Sequence, residues 1–407
     1  MTTSCRFCGA PLRHALVDLG RQPPSNSYVD DPAAAEKTYP LRAMICGQCF
    51  LAQLDEVVPA DEIFSSDYAY FSSYSSSWVA HAKAYQEAVT ARFALGPGSK
   101  VVEVASNDGY LLQHFLKAGI GVLGVEPSLS VANAAAHKGI PTEVLFFGAA
   151  TAAQLRREGH GADIIAANNV LAHVPDITDF VRGLATLLND DGVVTVEFPH
   201  LLNLIAQVQF DTIYHEHYSY LSLMSVERVF AAAGLRVFDV EALPTHGGSL
   251  RIYACHEGAV HRPCPGLAEM RRREAEAGLD DLATYTDFDA RVRAVRDGLK
   301  AFLAEAHARG KTVAAYGAAA KGNTLLNYCA VGPDDIAFVV DLNPAKQGRF
   351  LPGSKIPIAA PEKLSAARPD YVLILPWNLR GEITEQIAFI RDWGGRFVVA
   401  IPDIEVF

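Results

Sequence analysis

The sequence predicts an α/β protein: a Rossmann-like parallel sheet, preceded by a small metal-stapled lobe and followed by a second, smaller Rossmann-like α/β domain. Three observations predict it. Strand-like apolar runs alternate with helix-length segments from Lys100 onward, two C-x-x-C pairs stand near the start, and a second strand–helix series begins near Lys311. At 407 residues the chain exceeds one ordinary domain. Half of it is hydrophobic and a fifth charged, enough for several packed cores.

The first element is a lobe over residues 1–57. Cys5 and Cys8 ("CRFC") and Cys46 and Cys49 ("CGQC") each present two thiolates from a tight turn. Four sulfurs complete a closed tetrahedral zinc site, with no open position of the kind catalytic zinc needs. Structural zinc is therefore expected. Residues 58–95 follow as a Ser/Tyr-rich stretch, "SSDYAYFSSYSSSW", and an amphipathic helix over about residues 78–95. The polar aromatic stretch reads as a lid or as a plain linker.

Residues 96–258 alternate strand and helix: "KVVEVA", "GYLLQHFLKAG", "GVLGVE", "VANAAAHKG", "PTEVLF", "ADIIAANNV", "ITDFVRGLATLLNDDG" and "VVTVEFP". Such alternation means a parallel sheet covered on both faces. After a helix at "SVERVFAAAG", the strands "LRVFDVEAL" and "GGSLRIYACHEG" read as a hairpin that ends the sheet antiparallel. A polar helical connector, residues 259–309, leads to the second α/β domain, residues 310–407.

Chemistry concentrates at a few turns. Glu103 ends the first strand of the central series, and Gly109 opens the helix after the turn "ASNDG". Glu126 ends the next strand, where a carboxylate suits the two hydroxyls of a ribose. Ala105 and Asn107 stand where a dinucleotide fingerprint requires glycine, and Asp108 adds an acid. This turn is too polar for a pyrophosphate and suits a ligand with a cationic end, such as S-adenosylmethionine (SAM). Phe146 and Phe147, after the third strand, offer an aromatic edge for adenine, though core packing is the commoner role of such residues. "FDTIYHEHYSY", residues 210–220, gathers two histidines, a glutamate, an aspartate and three tyrosines. It could bind metal, move a proton or fill a polar core. His215 and His217 lack the i, i+4 spacing of a helical zinc hydrolase pair.

The four-cysteine lobe, "EVASNDG", "NNVLAHV", "FDTIYHEHYSY", "HGGSLR" and "YGAAAKGNT", in this order over nearly the whole chain, resemble the nucleotide-sugar C-methyltransferases. The nearest pattern is the 3-C-methyltransferase acting on thymidine-diphosphate 4-keto sugars. The resemblance implies a class I SAM-dependent methyltransferase domain, with Asn168 of "NNV" among its cofactor contacts. It implies His217 as general base, Glu216 as the residue that orients or tunes the network, and Tyr214, His173 and Tyr68 at the sugar. Substrate contacts are implied for His246, Ser249 and Arg251 and for Tyr316, Lys321 and Asn323, with Trp377 and Asn378 of "PWN" at a strand end. One departure is visible: the family commonly carries glycine where this chain has Ala105.

The expected enzyme transfers a methyl group from SAM to carbon 3 of a nucleotide-diphosphate 4-keto deoxysugar through an enolate. An O-methyltransferase would not wash the sugar's α-proton into solvent. An NAD-dependent sugar oxidoreductase would need a complete dinucleotide fingerprint, and a zinc adaptor would leave the histidine cluster idle. The net charge of −11 argues against nucleic acid. No run approaches the roughly 18 apolar residues of a membrane span, and "MTTSCRFCGAPLRH" does not read as a secretory leader. Seven cysteines, an odd number and unevenly spread, fit a reducing compartment. A cytoplasmic monomer or weak oligomer is expected.

Overall fold

The computed structural model describes residues 4–56, 58 and 71–407. Three sheets organise them. In the first, β1 (His14–Gln22), β2 (Tyr39–Ile45) and β3 (Ala52–Leu54) form an antiparallel meander, with Leu16, Leu41, Ala43 and Ile45 buried. The four cysteines lie on the turns before β1 and between β2 and β3. Its fourth strand comes from far along the chain: Ala52 and Gln53 pair with Tyr220 and Ser219.

The second sheet follows helix α1 (Ser76–Arg92), whose N-cap Ser75 accepts from the Trp78 amide. Its parallel part is built from β4 (Lys100–Val104), α2 (Leu112–Lys117), β5 (Gly121–Val125), α3 (Leu129–His137), β6 (Thr142–Glu143), α4 (Ala149–Arg157), β7 (Ala162–Ala166), α5 (Ile177–Leu187) and β8 (Leu188–Pro199). Val, Ile and Ala side chains bury these strands on both faces, as a parallel sheet demands. Beyond α6 (Leu201–Ala206), β9 (Ser219–Tyr220) and α7 (Leu223–Ala231), the antiparallel strands β10 (Leu235–Leu243) and β11 (Ser249–His256) close the sheet. Its order is β10-β11-β8-β7-β4-β5-β6, so strand order reverses beside β4, where open α/β sheets bind ligands.

The connector contains α8 (Pro265–Glu276) and α9 (Phe288–Ala308). The third sheet then uses β12 (Val313–Tyr316), α10 (Ala320–Tyr328), β13 (Val339–Val340), β14 (Ile358–Ala359), α11 (Lys363–Ala367), β15 (Tyr371–Ile374), α12 (Arg380–Gln386), β16 (Arg396–Val399) and β17 (Glu405–Val406). Its order, β14-β13-β12-β15-β16-β17, is parallel except for β17. Its switch point lies between β12 and β15.

Four local readings of the sequence shift. "PTEVLF" yields only the two-residue edge strand β6, because it has a single partner in β5. Helix α4 was not anticipated. Helix α5 stops at Leu187 and "NDDG" belongs to β8. The helix expected over about 78–95 starts and ends two to three residues earlier, at Ser76 and Arg92. Most of the expected lid, residues 59–70, lies outside the described residues.

Candidate active site

The segment 210–220 is clamped at both ends. A 3-10 turn, Phe210–Thr212, packs under α10, where Thr324 Oγ1 donates to the Ile213 carbonyl at 3.1 Å. At the other end β9 joins the cysteine lobe. Between them the loop turns back, and the His217 amide donates to the Tyr214 carbonyl at 2.9 Å.

This fold-back fixes the chemistry of His217. Its Nδ1 lies 2.9 Å from the Thr212 carbonyl, which can only accept, so Nδ1 carries the hydrogen. Nε2 is then a lone pair, and it accepts the Tyr214 hydroxyl at 2.8 Å. Burial, reinforced by the neighbouring His173, holds the His217 pKa well below the usual imidazole range. The His173 ring stands 4.6 Å away, edge-on, and donates to the Glu216 backbone; burial takes its pKa down to about 4. His246, at φ 55° on the turn before β11, is also lowered to about 4, first by burial and then by the charge of Lys321. Three neutral imidazoles thus share one region.

The C-terminal domain completes it. Lys321, at the start of α10, donates to Asn378 Oδ1 at 2.7 Å, and its ammonium sits 4.7 Å from the Trp377 ring centre. Trp377 Nε1 donates to Asp211 Oδ2 at 2.7 Å. Burial raises Asp211 to about 6 against the pull of Lys321, whose own pKa burial lowers. His217, Tyr214, His173, His246, Lys321, Trp377 and Asn378, separate in sequence, therefore converge.

Other expected residues have partners within the fold. Arg251 places Nε and Nη2 on Glu197, Nη1 on Glu241, and its guanidinium over the Tyr85 ring, so each of its nitrogens has a partner within the fold. Ser249 Oγ donates to the Thr245 carbonyl. Tyr316 turns to Gln386 of α12, on the apolar side of its sheet. Asn323 Nδ2 donates to the Ser25 carbonyl. His215 faces the carbonyls of Tyr39 and Pro40, so it diverges from His217 and the two cannot hold one ion. Tyr68 lies outside the described residues. The sequence reading missed Trp78 and His81 on α1: Trp78 stacks on His81 at 4.9 Å and meets His246 edge-on at 5.4 Å. Only tertiary packing brings α1 there.

At the β4–β7 switch point the residues expected to meet the cofactor assemble. Ala105 and Asn107 adopt positive φ, 57° and 50°. At Ala105 the left-handed turn that glycine would take freely is held at a cost of roughly 1 kcal/mol. Gly109 takes φ 75°, where a side chain is strained, and a Cβ there would also press on Ile140 Cδ1 at 2.2 Å. Glu126 accepts the Asn107 amide at 3.0 Å and the Ser128 amide at 2.9 Å, so it shapes the turn as well as facing it. Glu103 Oε2, Ser106 Oγ, Asn168 Oδ1 and both amide atoms of Asn169 are buried without a partner. Orphaned polar atoms of this number call for a polar ligand, and the site fits SAM on that ground. Asn169 was not singled out from the sequence, although it adjoins Asn168. Phe147 packs its ring on Phe180 at 5.4 Å, so the aromatic surface left open beyond β6 is that of Phe146, 60% exposed.

The four thiols of Cys5, Cys8, Cys46 and Cys49 lie within 4.8 Å of one another. Cys5 and Cys49, and Cys8 and Cys46, stand 3.5 Å apart, near the roughly 3.8 Å sulfur spacing that follows from ~2.3 Å tetrahedral zinc–sulfur bonds. Among the described residues this is the only group of three or more metal-capable side chains.

Three family models match the chain: a zinc binding domain over residues 5–64, a methyltransferase domain over 78–240, and a C-methyltransferase C-terminal domain over 244–402. C-methyltransferase NovU of Streptomyces niveus is 37% identical over 404 residues, 99% of this chain and 96% of that protein. The chain belongs to the C-methyltransferase family. Among solved structures, magnesium protoporphyrin IX methyltransferase of Synechocystis PCC 6803 with bound SAH covers 44% of this chain and 85% of its own, at 17% identity and TM-score 0.36. A SAM-dependent methyltransferase of Clostridium acetobutylicum covers 49% and 96%, at 11% identity and TM-score 0.37. Neither adds to the family assignment. This C-methyltransferase is a SAM-dependent enzyme with a structural zinc lobe.

Two expectations arise here. Glu126→Gln should keep one acceptor for the turn amides yet weaken SAM binding about 10- to 100-fold, the worth of a hydrogen bond to a charged group. Calorimetry on the folded variant reads this, and unchanged affinity would move the ribose elsewhere. Glu216, whose pKa burial raises to about 7, is accommodated more easily neutral than charged. Its stabilising contribution is full below the unfolded value near 4.5 and is lost as pH rises through about 7. Glu216→Gln should therefore gain on the wild type between pH 5 and pH 8 in denaturant melts. A constant difference would contradict the shift.

Proposed function

We propose that this C-methyltransferase methylates a nucleotide-diphosphate 4-keto deoxysugar at carbon 3, through an enolate. The observation that carries the proposal is His217: neutral, with Nδ1–H tied to a carbonyl and Nε2 free to take a proton once Tyr214 turns to substrate. A carbon acid beside a ketone needs both a base and a stabilised enolate oxygen. His217 takes the α-proton at Nε2. The Tyr214 hydroxyl, released from that nitrogen, donates to the ketone oxygen. His173 lies edge-on against the base and is tied to the Glu216 backbone. SAM, when bound, supplies an electrophilic methyl group. Glu126, Glu103, Asn168 and Asn169 hold it at the switch point, and the surrounding burial excludes water.

The nucleotide end is assigned to the C-terminal domain, where Lys321 and Asn378 adjoin the first turn of α10 and its free amides. The net charge of −11 disfavours nucleic acid as a substrate. Among the described residues no helix is long and apolar enough to cross a membrane.

A 4-ketone acidifies carbon 5 as well as carbon 3, and the family resemblance favours carbon 3. Incubating the enzyme with SAM and thymidine-diphosphate 4-keto-6-deoxysugars, then assigning the new methyl by NMR, tests the position. A methyl on carbon 5 would correct the regiochemistry. An oxygen-bound methyl would replace the reaction type, and NAD-dependent turnover would replace the enzyme class. Tyr214→Phe leaves the base in place and should lower kcat on the order of 100-fold, as loss of one oxyanion donor does. An unaltered kcat would remove Tyr214 from the reaction.

A further inference from the structure

Residues 23–38, between β1 and β2, leave the cysteine lobe and cross to the C-terminal domain. Val29 bridges to Phe350, Arg349 pairs with Asp30, and Lys355 pairs with Glu36. On the way this strap passes the catalytic loop. Asn26 Nδ2 donates to Glu216 Oε1 at 2.6 Å, and Asn26 Oδ1 lies 3.3 Å from the Tyr28 hydroxyl. When Glu216 is ionised its oxygens only accept, so the amide nitrogen faces it. Tyr28 is anchored in turn, its hydroxyl donating to the Ala318 carbonyl at 2.6 Å.

We propose that Asn26 is a positioning residue of the methyl-transfer site: carried by the zinc lobe, it fixes the Glu216 carboxylate and with it the loop that bears His217. The proposal rests on the function given above. Three features support it. The preceding residue is locked, since the Ser25 carbonyl accepts from Asn323 at 3.2 Å and Ser25 Oγ meets Thr324 Oγ1 at 3.4 Å. Thr324 is itself bonded to the loop at Ile213. Asn26 is solvent-exposed while Glu216 is 5% exposed, so the strap caps a buried acid from outside.

Burial raises Glu216 to about 7, and the Asn26 donor pulls it back toward ionisation. The groups facing Glu216 add no compensating positive charge. His173 and His217 beside its backbone are held neutral, the Tyr28 hydroxyl is un-ionised, and Asp341 stands beyond Tyr28. Lys346 and Arg349 lie over the far Tyr28 ring, 5.4 and 6.0 Å from its centre. Asn26 thus decides how much of Glu216 is carboxylate near neutral pH.

The test compares wild type, Asn26→Ala and Asn26→Asp, all at an exposed position, with folding checked by thermal melts. Loss of the donor should move the acidic limb of kcat upward by about one pH unit, lowering kcat about five-fold at pH 7 and restoring it above pH 9. Asn26→Asp, which sets a second carboxylate against the first, should move it further, with KM for SAM unchanged in both. The Glu216 carboxylate band, taken as an infrared difference against Glu216→Gln, should titrate with the same order of shifts, whatever the substrate proves to be. A loss of kcat equal at every pH, or an unmoved carboxylate titration, would reduce Asn26 to a brace and overturn the proposal. Failure of the wild type on keto sugars, with the titration shifts intact, would sink the functional reading and leave the contact standing.

Discussion

His217→Asn is expected to lower kcat ~100- to 10,000-fold, the usual contribution of a positioned general base. The asparagine amide can still donate to the Thr212 carbonyl, as Nδ1 does now at 2.9 Å, so the loop keeps its internal bond. What disappears is the basic nitrogen. KM for SAM should stay within a few-fold, because the proposed cofactor residues lie at the end of β4 and in the turns after β4, β5 and β7, outside this loop. Steady-state kinetics at saturating SAM check the split. A variant that keeps full activity would mean that another group takes the proton.

Loss of zinc is the second large effect. Zinc bound by four thiolates contributes apparent folding free energy of roughly 10–16 kcal/mol in small zinc-finger peptides. In this enzyme the consequence should reach the reaction centre. β3 pairs directly with β9, which begins two residues after His217, and Arg6, next to Cys5, donates to the carbonyls of Leu54 and Tyr218. Cys46→Ser should give protein with less than stoichiometric zinc, faster amide exchange across residues 213–220, and a kcat loss of at least ten-fold, within the range of a displaced general base. Metal analysis and hydrogen exchange read this. A zinc-free variant with unchanged exchange and activity would confine the metal to the lobe's own stability.

The sequence carried the sheets through their periodicity, because buried parallel strands such as "KVVEV" and "ADIIA" are nearly all apolar. The antiparallel end was legible too, from two long strands joined by the Gly-Gly turn before β11. The length of the edge strand was not: "PTEVLF" reads as a full strand, and β6, with one partner, keeps two residues of it. The cysteine site could be read because four ligands in two pairs admit few other uses. Residues of the histidine cluster were legible from local composition and family resemblance. Their tautomers and the diversion of His215 depend on carbonyls at Thr212, Tyr39 and Pro40, which no side-chain pattern encodes. Arg251 was expected only as a substrate contact, and its pairing with Glu197 comes from the cross-strand register, which no local pattern encodes. Asn26, about 190 residues from its partner, was invisible to any local reading.

The most direct measurement is methyl transfer in deuterated water with a 4-keto sugar nucleotide, the product being assigned by NMR. The account predicts a methyl group bonded to a carbon beside the ketone, loss of that carbon's proton to solvent, and product formation slowed ~100- to 10,000-fold with His217→Asn. A methyl on oxygen, with the α-proton retained, would contradict it.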